Sequence, residues 1–231
     1  MIDGILFDKD GTLFDFSKSW SGWAARLLTT LSRNPDHAAA LARAIGFDAV
    51  SATFDPASPV ISATAADIAT ALQPQLPGRT HDDIVGQINA LAEGAPMAEA
   101  VPLVPFLTAL RARGLRLGVA TNDSEAPARA HLDAHGITGL FDFIAGYDSG
   151  YGAKPGPGMC LAFARSQALD PARVVMVGDS LHDLAAGRAA GMRTIAVLTG
   201  VARHADLVGH ADTVLADIGG LTGWLDTMPR A

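Results

Sequence analysis

The 231-residue sequence contains very little cysteine and very little lysine. Its single cysteine, Cys160, excludes a disulfide within the chain and a zinc site built from cysteines, and it favours a reducing compartment. Lysine occurs only as Lys9, Lys18 and Lys154, so each place where the chain uses one is of interest. Acidic residues outnumber basic ones by 24 to 17, which argues against a general nucleic-acid-binding protein.

The sequence also lacks a long hydrophobic run. No stretch approaches the ~18 uninterrupted apolar residues of a membrane helix, and the first residues turn acidic at Asp3 rather than following the pattern of a secretory leader. Hydrophobic residues nevertheless make up 49% of the chain, which excludes a disordered protein. We therefore expect a cytoplasmic globular protein, a monomer or a homodimer, without membrane or nucleic-acid partners.

Short apolar runs separated by helical segments predict an α/β fold. Each run is too short for a helix and lacks the alternation of a half-exposed strand, as is typical of strands buried on both faces. The order predicts a Rossmann-like parallel sheet covered by helices. The predicted strands are Gly4–Phe7, Leu115–Ala120, Phe143–Ala145, Arg173–Val177, Arg193–Leu198 and, at one edge, Asp212–Leu215. The predicted helices between and after them are Pro102–Arg113, Ser124–His135, Pro157–Ala168, Ser180–Ala190 and Leu221–Leu225.

Residues 15–98 interrupt this alternation with helical patterns alone, and no strand is predicted among them. Apolar residues recur at helical spacing from Trp20 to Leu31, and a second helix is expected from Asp36 to a stop at Gly46. Two more helices are predicted to begin at capping boxes, Thr64 with Asp67 and Thr80 with Asp83. We interpret the segment as a helical cap domain inserted into a core domain of residues 1–14 and 99–231.

Two pairs of aspartates directly follow predicted strands. Asp8 and Asp10 lie where the first apolar run gives way to an Asp-Gly turn, and Asp179 and Asp183 lie at the start of a helix that follows another run. The carboxyl ends of parallel strands meet at one edge of a sheet, which is where ligands bind. Carboxylates gathered there can share Mg²⁺ and supply a nucleophile and an acid/base. Taken singly, each pair also suits an ordinary turn or helix cap.

Two further motifs suit the binding of a phosphoryl group. Thr121 and Asn122 follow the second core strand, where a hydroxyl and the N–H groups of a helix start form an anion site. Lys154 precedes Pro155 in a stiff loop and offers a point charge. Each motif alone is also compatible with an ordinary helix cap or loop.

In this order the four motifs resemble those of the haloacid dehalogenase (HAD) superfamily. Segment 15–98 then corresponds to the helical C1 cap of subfamily I, and the run from Gly178 to Gly200 is most similar to phosphoglycolate-phosphatase-type members. The resemblance covers the whole chain. The residues that carry it are Asp8-Lys9-Asp10-Gly11-Thr12, Thr121, Lys154-Pro155 and Gly178-Asp179-Ser180 with Asp183.

The resemblance implies a Mg²⁺-dependent phosphatase that hydrolyses a small phosphomonoester, phosphoglycolate-like or a sugar phosphate, through an aspartyl-phosphate. It implies that Asp8 is the nucleophile and Asp10 the acid/base. Thr121, Asn122 and Lys154 would hold the phosphoryl oxygens. The implied Mg²⁺ ligands are Asp8, the main-chain carbonyl of Asp10 and Asp179, with Asp183 as either a ligand or an anchor beside the metal.

Several alternatives stay open at this point. The second acid, Asp10, favours phosphoryl transfer over dehalogenation, and a phosphonatase would need a cap lysine, for which Lys18 is the candidate. A phosphomutase of the β-phosphoglucomutase type has the same four motifs. The alternative of a different class is a non-catalytic binding protein on the same fold.

The charged residues around the motifs bear on the substrate. Lys9 occupies a position that is often apolar in the family, where it either adds positive field or extends outward, and Asp123 adds negative charge beside the anion site. Acids outnumber bases in residues 15–98, so we expect a small phosphomonoester, with Lys18 or Arg26 contacting a distal carboxylate or hydroxyl. The Trp20 and Trp23 stripe is predicted to be cap core, and His182 to face solvent or the cleft.

Overall fold

The computed structural model describes residues 1–228 and has a six-stranded sheet at its centre. The strands along the chain are β1 (Gly4–Phe7), β2 (Phe47–Asp48), β3 (Thr53–Phe54), β4 (Arg116–Ala120), β5 (Phe143–Ala145), β6 (Val174–Gly178), β7 (Arg193–Val197) and β8 (Thr213–Leu215). The helices are α1 (Phe16–Leu31), α2 (Pro35–Ala44), α3 (Pro59–Ser62), α4 (Ala65–Leu72), α5 (His81–Glu93), α6 (Leu103–Ala112), α7 (Glu125–Ala134), α8 (Gly158–Ser166), α9 (Leu181–Ala189), α10 (His204–Leu207) and α11 (Leu221–Asp226). Short 3₁₀ turns cover Gln73–Gln75, Thr138–Leu140, Pro171–Arg173 and Ile218–Gly220.

The central sheet has the order β5-β4-β1-β6-β7-β8, and every neighbouring pair is parallel. All residues of β1 and β6 are buried, because helices cover both faces of the sheet. The predicted α/β class with a Rossmann-like core is therefore confirmed. Each predicted core strand forms within one residue of its predicted ends, and the predicted core helices form with ends shifted by one or two residues.

The chain leaves β1 at the point where the strand order reverses. From β1 it adds β4 and β5 on one side, and later β6, β7 and β8 on the other. Phe7, the last residue of β1, pairs with Val119 of β4 and Val177 of β6, so three strands end side by side. A crevice at such a reversal is the usual ligand site of an open parallel sheet.

Residues 15–98 contribute no strand to the central sheet. They form α1 to α5, and the two predicted capping boxes are present at the starts of α4 and α5. The expectation that this segment holds no strand is wrong, because β2 and β3 form a small antiparallel pair. Phe47 and Phe54 oppose each other there with ring centroids 4.9 Å apart, and ladders of two residues are too short to leave a periodic pattern in the sequence.

The two stretches of chain that connect residues 15–98 to the sheet region run side by side. The Asp15 N–H donates to the Ala98 carbonyl at 2.8 Å, and the Ala100 N–H donates to the Leu13 carbonyl at 3.0 Å. The segment therefore enters and leaves through one narrow connection. The division into a core (1–14 and 99–231) and a cap (15–98) stays a prediction, and residues 229–231 of that core lie outside the described residues.

Side chains with no exposure to solvent fill the interior of the protein. Cys160 is fully buried in α8, and burial raises the pKa of its thiol to about 12, as suits a small core residue.

Within residues 1–228, no helix is both long enough and apolar enough to cross a membrane.

Candidate active site

Three neighbouring strands deliver the predicted site residues to one edge of the sheet. Asp8 follows β1, Thr121 follows β4 and Asp179 follows β6, and all three side chains are buried. Since β4, β1 and β6 are adjacent and parallel, their carboxyl ends open into one crevice. The structure thus brings together residues that lie more than 170 positions apart in the sequence.

Lys154 reaches into this crevice from the loop between β5 and α8. Its Nζ donates to Asp8 Oδ1 at 2.6 Å, to Asp183 Oδ1 at 2.6 Å and to the Ala120 carbonyl at 2.8 Å. All three ammonium protons are therefore used, and the group is held rigidly beside the Asp8 carboxylate. Charge-assisted bonds of this length are among the strongest in proteins.

Asp183 anchors this ammonium from the first turn of α9. Its Oδ2 accepts hydrogen bonds from the Ser180 N–H at 3.0 Å and the Ser180 hydroxyl at 2.6 Å, while its Oδ1 binds Lys154. The bond pattern is a capping box, so the same carboxylate starts the helix and fixes the lysine. Both of its oxygens are occupied by protein donors.

Burial and mutual repulsion perturb the acids of the crevice. Burial raises the pKa of Asp8 to about 7, an effect that Lys154 opposes and that Asp183 and Asp10 reinforce. Burial also raises the pKa of Asp179 well above its usual range, and Asp183 and Asp8 add to the effect. For Lys154, burial lowers the pKa, but Asp183 and Asp8 outweigh it, so the pKa lies above its usual value. The cluster carries more negative charge than one ammonium neutralises.

These acids fit a divalent cation. Asp8, Asp179 and Asp183 each place one carboxylate oxygen within 4.8 Å of the others. Asp179 Oδ2 is buried and accepts no hydrogen bond from a protein group among the described residues, so it is available to a ligand. Glycines make room around it, since a Cβ at Gly11 or at Gly200 would collide with the Asp179 carboxylate. Oxygen donors of this kind are the ligands that Mg²⁺ prefers.

Asn122 and Thr121 line the same crevice in different ways. The Asn122 amide accepts from the Lys154 N–H at 2.9 Å and donates to the Lys154 carbonyl at 2.9 Å, so it clamps the lysine loop. It also donates to the Ser62 carbonyl of α3 at 2.8 Å, which ties the crevice to the inserted segment. The Thr121 hydroxyl accepts from the Asp123 N–H at 3.0 Å.

Asp10 lies in a second charged cluster that the sequence did not reveal. The fully buried Lys9 ammonium donates to Asp10 Oδ1 at 2.7 Å, contacts His131 Nδ1 at 3.0 Å and pairs with Asp123 Oδ2 at 3.1 Å. Trp20 Nε1 donates to the same Asp10 oxygen at 2.8 Å. Lys9 therefore points inward, which excludes the alternative that it extends outward, and its ammonium lies between the Asp10 and Asp123 carboxylates.

The protonation states of this cluster agree with its geometry. Burial lowers the pKa of Lys9, but Asp10 and Asp123 outweigh it and hold the pKa above its usual value. Burial lowers the pKa of His131 to about 4, and the Lys9 charge adds to the effect, so the ring is neutral at neutral pH. A neutral ring accepts from Lys9 at Nδ1 and donates from Nε2 to the Ala92 carbonyl at 2.7 Å.

The inserted segment closes the crevice into a cleft with an apolar wall. We call this wall the cap wall, and its large side chains are Trp20, Trp23, Val60, Ile61, Ile68 and Ile88. The opposite wall carries Asp8, Asp10, Thr121, Asn122, Asp123, Lys154, Ser180 and Asp183. Both tryptophans are buried, as predicted for cap core, and they line the cleft as well. His182 also lines it, beside the Ser62 carbonyl at 3.3 Å.

Two predicted substrate contacts do not meet the cleft. The Lys18 side chain is 72% exposed and binds Asp15 at 2.9 Å. The Arg26 guanidinium donates to the Leu91 and Gly94 carbonyls at the end of α5. Neither residue is among those that line the cleft. The apolar spacing of α1 places its buried face on Trp20, Trp23 and Leu27, and neither Lys18 nor Arg26 belongs to that face.

The family model described as haloacid dehalogenase-like hydrolase matches residues 2–191. A phosphoglycolate phosphatase of Xylella fastidiosa is 30% identical over 213 residues, which cover 91% of this chain and 87% of that protein. A phosphoglycolate phosphatase of Rhodospirillum rubrum is 37% identical over 120 residues, which cover 52% of this chain and 50% of that protein.

A solved structure gives the same fold over nearly its full length. The crystal structure of CbbY from Rhodobacter sphaeroides in complex with phosphate aligns with a TM-score of 0.71 at 26% identity. The alignment covers 96% of this chain and 99% of that one.

Proposed function

This chain belongs to the haloacid dehalogenase-like hydrolases, and from that membership we propose that it is a Mg²⁺-dependent phosphatase of small phosphomonoesters. The observation that carries the proposal is the position of the Asp8 carboxylate, which directly follows β1 and lies 2.6 Å from the Lys154 ammonium. A nucleophile and a phosphate-binding cation at one strand end are what phosphoryl transfer to a carboxylate requires.

Asp8 is the nucleophile of the first step. One carboxylate oxygen is fixed by Lys154, which leaves the other to form a bond to phosphorus while the bond from phosphorus to the ester oxygen breaks. The product is an acyl phosphate on Asp8. Lys154 and the Thr121 hydroxyl line the place that the phosphoryl oxygens would take, and they offset charge there in a buried setting.

Asp10 is the acid and then the base. In the first step it gives a proton to the departing alkoxide oxygen, so the alcohol leaves neutral. In the second step its carboxylate takes a proton from water as the water oxygen attacks phosphorus, which frees Asp8 and releases inorganic phosphate. One Asp10 oxygen is held by Lys9 and Trp20, so the carboxyl group keeps one orientation through both steps.

Asp8 and Asp179 would hold Mg²⁺, together with the main-chain carbonyl of Asp10. When bound, the ion would neutralise the phosphoryl oxygens and favour the ionised form of Asp8. Asp183 serves as the anchor of Lys154, because both of its oxygens already accept hydrogen bonds from protein groups. Asn122 clamps the lysine loop, which supports a positioning role.

The composition of the cleft weighs against a mutase. A phosphomutase of sugars must bind an intermediate with two phosphates, and the second phosphate needs a cation of its own. Among the described residues that line the cleft, Lys154 is the one lysine and no arginine is present. Hydrolysis of a single phosphate is therefore the function that the site supports best.

The test replaces the nucleophile with an isosteric amide. Asp8→Asn is expected to lower the turnover of 4-nitrophenyl phosphate with Mg²⁺ by at least about a thousandfold, because the covalent route is lost. Asp36→Asn, on the exposed surface of α2, is the matched control and keeps full turnover. Circular dichroism checks that both variants fold. Turnover above a tenth of the parent value in folded Asp8→Asn would rule out Asp8 as the nucleophile.

A further inference from the structure

The cap wall carries no charge that could bind an ionised leaving group. Its large side chains are aliphatic or indole, and the small ones among them are alanines and Ser62. Val60 and Ile61 are partly exposed, whereas Ile68 and Ile88 are buried, and all four line the cleft. A leaving group that extends from phosphorus toward this wall would therefore meet hydrocarbon.

The opposite wall makes an anionic leaving group still less favourable. Asp8, Asp10, Asp123 and Asp183 all line the cleft, and its one lysine, Lys154, is already bound to two of them. A carboxylate placed here would lose its hydration and gain no free lysine or arginine among the described residues, and the His182 ring, which also lines the cleft, lies against the Ser62 carbonyl. An unpaired buried charge of this kind is strongly disfavoured, and nearby acids add repulsion.

Cations elsewhere in the inserted segment do not correct this balance. Lys18 binds Asp15 at the exposed surface, and Arg26 is bonded to main-chain carbonyls outside the cleft. Lys9 is close, but its ammonium is fully buried behind Asp10. None of these groups lines the cleft in the described part of the chain.

We propose that the substrate is a phosphomonoester whose leaving group is uncharged and apolar, a small branched alkyl or aryl alcohol, and that the cap wall selects it. This inference rests on the proposed phosphatase function and names the substrate class of the same site. It also sets this chain apart from a phosphoglycolate-type specificity, since the leaving group of phosphoglycolate carries a carboxylate. Apolar contact with Trp20 and Val60 supplies the binding, and the acidic wall supplies the exclusion.

The test compares two esters of nearly equal shape. Isobutyl phosphate is phosphoglycolate with its carboxylate replaced by an isopropyl group, so the pair differs mainly in charge. We expect kcat/KM of the wild-type enzyme with Mg²⁺ to be at least about tenfold higher for isobutyl phosphate, as expected from an unpaired charge against buried methyl groups. Phosphate release measures both rates.

A second experiment changes the specificity with a single substitution in the cap wall. Val60→Lys places an ammonium at a partly exposed position of the cap wall, where a lysine stem can lie along the apolar surface. This change is expected to shift the kcat/KM ratio toward phosphoglycolate by at least about tenfold. Val60→Met, whose side chain is close to lysine in length and carries no charge, is the matched control and keeps the preference for isobutyl phosphate.

The outcomes separate this inference from the function on which it rests. If wild-type turnover depends on Asp8 and phosphoglycolate equals or exceeds isobutyl phosphate, the apolar specificity is refuted and the phosphatase function stands. A folded Val60→Lys variant with an unchanged ratio refutes the role of the cap wall. If 4-nitrophenyl phosphate is not hydrolysed either, the phosphatase function itself fails, and the inference fails with it.

Discussion

Lys9 is the buried charge whose removal gives the sharpest test of the structure. The substitution Lys9→Met keeps the length and apolar stem of the side chain and removes the ammonium alone. In the parent protein that ammonium lies 2.7 Å from Asp10 Oδ1, 3.1 Å from Asp123 Oδ2 and 3.0 Å from His131 Nδ1. It also lies 5.2 Å from the centroid of the Trp20 ring, a cation–π contact.

The expected loss in the free energy of unfolding follows from the carboxylates that the substitution leaves without a cation. Asp10 and Asp123 stay in a site where Lys9 was fully buried, and their like charges lose the one cation between them. Removing one partner of a buried ion pair costs about 3–5 kcal/mol, because the other charge is left uncompensated. For a chain of this size, each kcal/mol lowers the melting temperature by about 2–4 °C, so a drop of about 6–20 °C is expected.

The assay is thermal unfolding followed by circular dichroism, with two further variants. Lys18→Met removes a lysine from an exposed ion pair with Asp15 and is the matched control, with an expected cost below about 1 kcal/mol. Asp123→Asn in the Lys9→Met background removes one uncompensated charge and should restore part of the lost stability. A Lys9→Met cost below about 1 kcal/mol, or no recovery in the double variant, would contradict a buried, charged Lys9.

Two other predictions concern proton uptake by His131 and space around Asp179. The folded-state pKa of His131, about 4, lies below its unfolded value near 6.5, so unfolding takes up a proton as the pH falls. The neutral His131 ring contributes fully to the free energy of unfolding above pH 6.5, and this contribution is about 2 kcal/mol smaller at pH 5. Urea titrations at several pH values should therefore show that the free energy of unfolding depends more steeply on pH in the parent than in His131→Asn. Gly200→Ala is expected to abolish Mg²⁺ binding in calorimetry, since its methyl group would displace the Asp179 carboxylate. Gly209→Ala, where an added Cβ meets no atom within 4 Å, should bind Mg²⁺ like the parent.

The inner strands of the central sheet could be predicted from the sequence because they are buried on both faces. Such strands appear as unbroken apolar runs, and Gly4–Phe7 forms with the ends that its run predicts, as does the partly buried edge strand Phe143–Ala145. The candidate site could be predicted from the sequence for a related reason, because its residues follow these strands. Asp8, Thr121 and Asp179 each directly follow a strand, and parallel strands bring such positions to one edge of the sheet.

Other features depend on contacts between distant residues and left no local signal. The burial of Lys9 requires Asp123 and His131, which lie on the loop after β4 and on α7, more than 110 positions away. A lysine beside a turn is most often exposed, so nothing in the neighbouring residues indicates the contrary. The β2–β3 pair escaped prediction because two residues per strand show no alternation, and its stability comes from Phe47 packing on Phe54.

Trp20 connects the chemistry of the crevice to the selection of the leaving group. One edge of its indole donates to Asp10 Oδ1 at 2.8 Å, while the ring forms part of the cap wall. Under the proposed mechanism, an apolar leaving group that packs against the ring would contact the same residue that orients the proposed acid, Asp10. Binding energy from that contact would then be available to the acid/base step and not to substrate affinity alone. A carboxylate in the same place would lie beside the Asp10 carboxylate without a cation of its own, so under the proposed mechanism specificity and proton transfer depend on the same few contacts.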